Sequence, residues 1–432
     1  MKILWFSNTP ANGDEYFNRK LAGTGGWMKS LDKALHHKVE LHIAFYHNQD
    51  IESFSYENTR YYTIPKYKNL FGKIKERALN EVIDTEHLPI YLDLIDKIKP
   101  DVIHIHGTEN PFGCIIQQTD IPVIVSIQGN ITVYLHKYCS GIESEYLKLK
   151  NINVSDIKTM FLPHSFDKSR NKFIKMQRRE EKNLKHCRYI MGRTDWDRRI
   201  SRILAPKRHY FHIDEILRGN FYHAKWTPKD RQKIILHTTN SNNFYKGFET
   251  ICLTLHELDK LGIDCEWRVA GINKNDLIVK VVKRKIKNKF SQKNLKLIGR
   301  LTENDLIEKL LEADIYVMPS HIENSPNNLC EAMILGMPCI ATFAGGTGSL
   351  LRDGHEGILV QDGDPWALAG AVLELKEDLK EAVFFGKNAR KRALIRHDKG
   401  KIVHNLIEIY QSVSNPAKDL VYQYIGRFNR NR

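Results

Sequence analysis

The chain has 432 residues, 42% of them hydrophobic and 27% charged, with a formal net charge of +15. That length suffices for two domains with a core each, and the composition excludes a disordered or fibrous chain. No apolar run approaches the ~20 residues that span a bilayer, and the seven scattered cysteines form no Cys-x-x-Cys pair, so they read as buried free thiols of a reducing compartment. The positive charge fits nucleic acid, an anionic membrane surface, a polyanionic substrate or a basic surface kept for solubility.

In chain order, Lys2–Ser7 is predicted to be the first strand rather than a secretion signal, because its apolar stretch is short and no small-residue cleavage site follows. A loop, Gly23-Thr-Gly-Gly26, leads into a helix over 27–36. Strands are predicted at 39–46, 60–65, 101–106, 121–126 and 189–192, with a helix closing over 92–98. This alternation describes a doubly wound α/β domain whose binding loops lie at the carboxyl ends of its strands. His104 and His106 share one face of their strand, but the sequence supplies no third metal ligand. His106 is assigned instead to a cleft wall. Residues 168–188 form a basic helix candidate with too few apolar residues for a strong membrane-binding face.

The pattern turns irregular over 203–219, and the interdomain linker is placed at Arg218-Gly219. Domains are therefore expected over 1–218 and 219–400, with the terminal segment 401–432 crossing back to the first. The second half restarts with a strand at 233–239, and Lys246-Gly247 opens a helix over 248–261. A strand at 265–271, a very basic helix over 275–290, a strand at 294–299 and a helix over 303–313 follow. After a strand at 357–361, Asp364-Pro365 reads as the N-cap and first residue of the helix 365–379.

Between these lies the most informative stretch, from Ile315 to Thr342. An apolar strand, Ile315 to Met318, is followed by a loop with Glu323 and Asn324. Ser325-Pro326 reads as an N-cap and first helical residue, and the helix runs to Gly336 before a buried strand, Cys339 to Thr342. Unpaired N–H groups and the dipole make a helix start an anion site suited to a phosphate. Glu331, further along that helix, can reach a ribose, so the two together describe a sugar nucleotide. The plainer alternative is that Glu323 and Glu331 face solvent near a helix start, where acidic residues are favoured anyway. Lys246 also precedes a helix, a placement unfavourable to the dipole unless an anion sits between them.

From Pro319 to Pro338 the sequence resembles the Glu-x7-Glu signature of the retaining glycosyltransferases of family four, the group 1 enzymes. The resemblance covers most of the second half closely and the first half in outline. It implies a GT-B fold, α/β, with two doubly wound parallel-sheet domains facing across a cleft. It implies a hexosyltransferase-type enzyme that moves a sugar from a nucleotide-diphosphate sugar, needs no metal or other cofactor, and leaves the leaving phosphate to take the acceptor proton. Carried over residue by residue, Glu323 and Lys246 are the catalytic pair, with Glu323 on the donor-sugar hydroxyls and Lys246 on the diphosphate. Donor-binding positions are Gly25, Gly26, Asn324, Ser325, Pro326, Asn327, Asn328 and Glu331. Two departures stand out. No arginine precedes Lys246 in the run 238–243, and Gln128 stands where many members carry a histidine.

The expected partners are a nucleotide sugar and a glycan or lipid-linked glycan acceptor of surface polysaccharide synthesis. The expected location is the cytoplasm, peripheral to an anionic membrane, with no nucleic acid. Two rivals are a GT-B-fold sugar-nucleotide epimerase, which needs titratable groups at the anomeric neighbourhood, and a basic nucleic-acid binder, which lacks an interleaved basic-aromatic motif here. Asp195-Trp-Asp197 and Asp362-Gly-Asp364 match the Asp-x-Asp pattern of metal-dependent transferases, a pattern too short to assign a metal.

Overall fold

A computed structural model describes residues 1–17, 26–47, 53–66, 84–142, 166–229, 231–291 and 293–415. Two sheets organise it. The first is built from β1 (Lys2–Ser7), β2 (Glu40–His47), β3 (Phe54–Tyr56), β4 (Thr59–Pro65), β5 (Val102–His106), β6 (Val123–Ser126), β7 (Tyr189–Gly192) and β8 (His209–His212), in the order β3-β4-β2-β1-β5-β6-β7-β8. All pairings are parallel except β3 with β4. The second contains β9 (Ile234–Thr239), β10 (Cys265–Ala270), β11 (Leu295–Gly299), β12 (Ile315–Met318), β13 (Cys339–Thr342) and β14 (Ile358–Val360), in the order β11-β10-β9-β12-β13-β14, parallel throughout.

The central strands read as continuous apolar runs because both faces of each sheet are covered. Ile3 to Phe6, Ile315 to Met318 and Cys339 to Ala341 are all essentially inaccessible to solvent. Each sheet carries one hydrophobic cluster per face. In both sheets the order reverses at one strand, β1 in the first and β9 in the second. Open α/β sheets bind ligands outside the carboxyl ends of their strands at such reversals. The loops after β1, β9 and β12 are therefore the ones that matter.

The last helix, Lys399–Ser414, packs on the first sheet, not the second. Ile402, Leu406, Ile409, Tyr410 and Val413 join the cluster built on Ile3 and Trp5. Tyr410 Oη accepts from Trp5 Nε1 at 3.0 Å and lies 2.6 Å from His104 Nδ1. The expected tail beyond residue 415 lies outside the described residues.

Several elements depart from the sequence reading. The irregular stretch 203–219 contains an edge strand, β8, whose alternation of aromatics and histidines is too polar to register as a buried run. The short hairpin strand β3 was also not expected. The basic helix predicted over 275–290 ends at Ile286, where Lys287 turns to a positive φ of 46°. The helix over Phe166–Leu184 rests on the domain with Met176 and Leu184 buried, which consumes its apolar face. Among the described residues no helix is long and apolar enough to cross a membrane.

Candidate active site

The site assembles at the β9/β12 reversal. The loop leaving β9 ends in a single turn, Phe244–Lys246, and Gly247 follows with φ +71°. A Cβ on Gly247 would lie 2.0 Å from the Pro319 carbonyl oxygen, so only glycine lets the two exit loops meet. That contact delivers Lys246 to the loop after β12. Its Nζ donates to Glu323 Oε1 at 2.6 Å, and Ser320 Oγ donates to the same oxygen at 2.8 Å. Glu323 is only 3% exposed, and the loop that carries it is held by Gly346, whose N–H donates to the Glu323 carbonyl at 2.8 Å. A solvent-facing Glu323 is therefore excluded.

The helix that follows spans Asn327–Leu335, with Pro326 as its N-cap and no side chain bonded to cap it. This corrects the reading of Ser325 as N-cap. Proline fixes φ but leaves ψ free, and Pro326 at ψ 116° is still extended. No N-cap side chain bonds this helix start, but the Leu329 N–H already donates to Asn328 Oδ1 at 3.0 Å, which leaves the N–H groups of Asn327 and Asn328 for an anion. Asn327 and Asn328 spend their amides on scaffolding. Asn327 Nδ2 donates to Glu215 Oε2 at 2.6 Å and Asn328 Nδ2 to the Thr239 carbonyl at 2.7 Å. Asn324 bridges to the first domain, accepting from Thr194 Oγ1 at 2.8 Å and donating to the Gln128 carbonyl at 3.3 Å.

Glu331, 5% exposed, is gripped by Arg218. Nε donates to Oε1 at 2.6 Å and a terminal nitrogen to Oε2 at 2.7 Å. Burial pushes the Glu331 carboxyl up, and the guanidinium opposes that shift without cancelling it. Gly26 opens the helix Gly26–Leu35 directly beneath the stem of Arg218. A Cβ there would lie 2.6 Å from Arg218 Cδ. Gly25 lies outside the described residues.

The first-domain wall is built from β5, β6 and β7. Arg193, just past the carboxyl end of β7, is 5% exposed and pairs with Glu215. It donates to the Gln128 carbonyl at 2.9 Å and to that of Ile127 at 3.2 Å. Burial pushes the Glu215 carboxyl up, with Arg193 opposing. His106 and Gln128 line a cavity of about 30 Å³ with Trp27, Arg193 and Glu215, room for about one water. Burial holds the His106 imidazole well below its usual range, with His104 adding to the effect. His104 is itself held down to about 3 by burial, bonded to Tyr410 and Ser126.

The two Asp-x-Asp sequences serve as local scaffolding. Asp197 completes a capping box with Thr194 and accepts from Tyr210 Oη at 2.5 Å. Asp364 caps the helix Pro365–Glu377, and Asp362 pairs with Lys137 at 3.2 Å. Among the described residues no three His, Cys, Asp or Glu side chains are grouped to hold a metal.

Residues 220–392 match the family model of the glycosyl transferases group 1. The second-sheet half of this chain, over residues 220–392, is thus similar to the group 1 glycosyl transferases. Among curated relatives, the chain is 28% identical over 134 residues to the N-acetyl-alpha-D-glucosaminyl L-malate synthase of Bacillus anthracis, covering 31% of this chain and 35% of that one. It is 28% identical over 119 residues to the Escherichia coli UDP-Gal:alpha-D-GlcNAc-diphosphoundecaprenol alpha-1,3-galactosyltransferase, covering 28% and 30%. The matches span 31%, 42% and 35% of the lengths of the first three curated relatives. The whole-chain likeness is structural. Sucrose-phosphate synthase from Thermosynechococcus elongatus superposes with a TM-score of 0.69 at 15% identity, covering 95% of this chain and 98% of that one. Anabaena HepE in complex with UDP-glucose gives 0.62 at 13%, covering 95% and 100%. The fold of this chain is GT-B.

Sequence reasoning placed Glu323, Lys246 and Glu331 on one site, and the structure brings each to the β9/β12 reversal with a charged partner. It missed Arg193, Thr194, Glu215 and Arg218. Arg193 and Thr194 could have been found, because they follow a predicted strand at its carboxyl end. Arg218 carried no signal, since it lay in a stretch read as linker.

Proposed function

We propose that this protein is a retaining, metal-independent glycosyltransferase that moves a hexose from a nucleotide-diphosphate sugar to a glycan or lipid-linked glycan. The observation that carries the reading is the pair of half-buried Lys246 with buried Glu323, beside a helix start without an N-cap side-chain bond that also bears Glu331. A diphosphate at the helix start places its charge on backbone donors and within reach of Lys246. Glu331 then faces the ribose, and Glu323 the sugar hydroxyls. The acceptor oxygen bonds to the anomeric carbon as the bond from that carbon to the phosphate oxygen breaks. The nucleoside diphosphate leaves with the electron pair, and the acceptor proton passes to the departing phosphate oxygen. Lys246 and the helix N–H groups act where charge develops, the kind of preorganised stabilisation that dominates such catalysis.

The named activities of the relatives favour a bacterial-type glycan or lipid-linked acceptor, since the E. coli relative's name specifies a diphosphoundecaprenol acceptor. The +15 charge supports a peripheral role at an anionic cytoplasmic leaflet, each Lys or Arg near the surface being worth about 1 kcal/mol. Liposome flotation tests this part. Recovery with anionic but not neutral lipid, declining with salt, supports it, and equal recovery in the soluble fraction removes it. A thermal-shift screen of nucleotide sugars tests the donor part, because a ligand that binds only the folded state raises its apparent stability. A donor that shifts the transition identifies base and sugar together, and no shift with any nucleotide sugar contradicts the reading.

A further inference from the structure

The ribose end of the site is already occupied. Arg218 holds both oxygens of Glu331 in a bidentate pair, which takes two of the carboxylate's roughly four acceptor sites and fills the space before it, so a ribose hydroxyl approaches a carboxylate already engaged by the guanidinium. Arg218 is not anchored within a helix or strand. It sits in extended backbone, φ −60° and ψ 140°, just before the turn Gly219–Tyr222. Its guanidinium lies 4.7 Å from the Phe221 ring centroid, and its side chain remains 18% exposed. Its stem crosses Gly26, where a Cβ would lie 2.6 Å away from Cδ, so it covers the start of the first-domain helix while its head rests on the second domain. The run 238–243 ahead of Lys246 offers no cation, and a diphosphate carries more charge than one lysine offsets.

We propose that Arg218 is the second diphosphate cation, stored on Glu331 until a donor displaces it. The ribose takes Glu331, the released guanidinium turns about its own side-chain torsions, and it pairs with the diphosphate beside Lys246. Guanidinium suits both stations, since it meets carboxylates and phosphates alike in fork geometry, which lysine does not. The exchange leaves Glu331 hydrogen-bonded and Arg218 ion-paired before and after, so neither buried group is stranded. Donor binding thereby becomes cooperative between its two ends. The inference rests on the nucleotide-sugar reading above.

Inorganic pyrophosphate separates the two ends, because it has no ribose with which to displace Arg218. In calorimetric titrations, Glu331→Gln frees the guanidinium and is expected to tighten pyrophosphate binding about tenfold. Arg218→Gln is expected to leave pyrophosphate binding close to wild type, since the stored arginine contributes little there. The double variant is expected to lose the gain of Glu331→Gln. An unchanged affinity in Glu331→Gln, or a gain that persists in the double variant, overturns the proposal. A wild-type measurement guards against a misfolded variant. Saturating uridine, adenosine, guanosine or cytidine, whichever binds, is expected to tighten pyrophosphate binding by a similar factor. If none of the four does so, the storage role is wrong. Failure of the nucleotide-sugar reading shows separately, as the absence of a thermal shift with any nucleotide sugar.

Discussion

Two carboxylates of one signature, Glu323 and Glu331, are both buried and both paired, yet with cations of different origin. Glu323 meets Lys246 from the loop after the neighbouring strand, within a crevice that the sheet's strand order creates. Glu331 meets Arg218 from the segment that joins the domains, over a glycine of the first domain. The first pair is internal to one domain and is fixed by backbone contact at Gly247. The second depends on how the two domains sit together. A single sequence pattern thus yields one rigid half-site and one half-site coupled to domain packing.

The sharpest way to break that comparison is Lys246→Ala. Removing a preorganised charge at a developing anion costs about 100- to 1,000-fold in kcat. A steady-state assay with a true donor checks this, and a change confined to KM would move Lys246 out of the reacting end. Glu331→Ala probes the other half-site. It leaves the Arg218 guanidinium without its partner and should lower stability by about 3 kcal/mol in denaturant titration. The ribose hydrogen bond it removes is worth about 1–3 kcal/mol, and the freed Arg218 offsets part of that, so donor binding should weaken by less than the full amount. Glu323→Gln, by contrast, is expected to lower turnover more than donor affinity. If the two carboxylate variants behave alike, the division into two half-sites fails.

A smaller effect sits in the same loop. His321 Nε2 lies 2.5 Å from Glu249 Oε1 and Nδ1 lies 3.4 Å from Asp362, which also receives Lys137 from the first domain. Burial pushes the imidazole down, but the bonds and charges of Glu249 and Asp362 outweigh it and lift it above its usual range. A raised folded-state value contributes stability that is fully present below the unfolded pKa of about 6.5, and that is lost as pH climbs through the folded value. Melting temperature should therefore fall as pH rises above the ordinary imidazole range, and His321→Gln should flatten that slope. The smallest expected effect is that of EDTA, which should leave transfer unchanged. A rate abolished by EDTA and restored by magnesium or manganese would replace the Lys246 account with a metal-based one.

The rigid half-site was legible in the sequence because its parts are local. The apolar runs Ile315–Met318 and Cys339–Thr342, the Glu323 loop and the Lys246-Gly247 pair each carry their own signal of strand, turn or helix start. The coupled half-site was half hidden. Glu331 could be read from its place on a helix, but its partner could not, since the Arg218–Glu331 contact joins residues distant in sequence through tertiary packing. The first-domain wall was legible only where an apolar strand marked it. His106 ends such a strand and Gln128 follows another, whereas Glu215 follows β8, which is too polar to announce itself. The helix start was misplaced by one residue because Ser-Pro supports both an N-cap and an extended pair.

The most direct test of the central claim is release of nucleoside diphosphate from a panel of nucleotide sugars, in EDTA, by wild-type protein and by Lys246→Ala. The account predicts that wild type releases nucleoside diphosphate from at least one donor, and that Lys246→Ala does so at least about 100-fold more slowly. Equal rates in the two proteins, or no release by wild type from any donor with acceptor present, would contradict it.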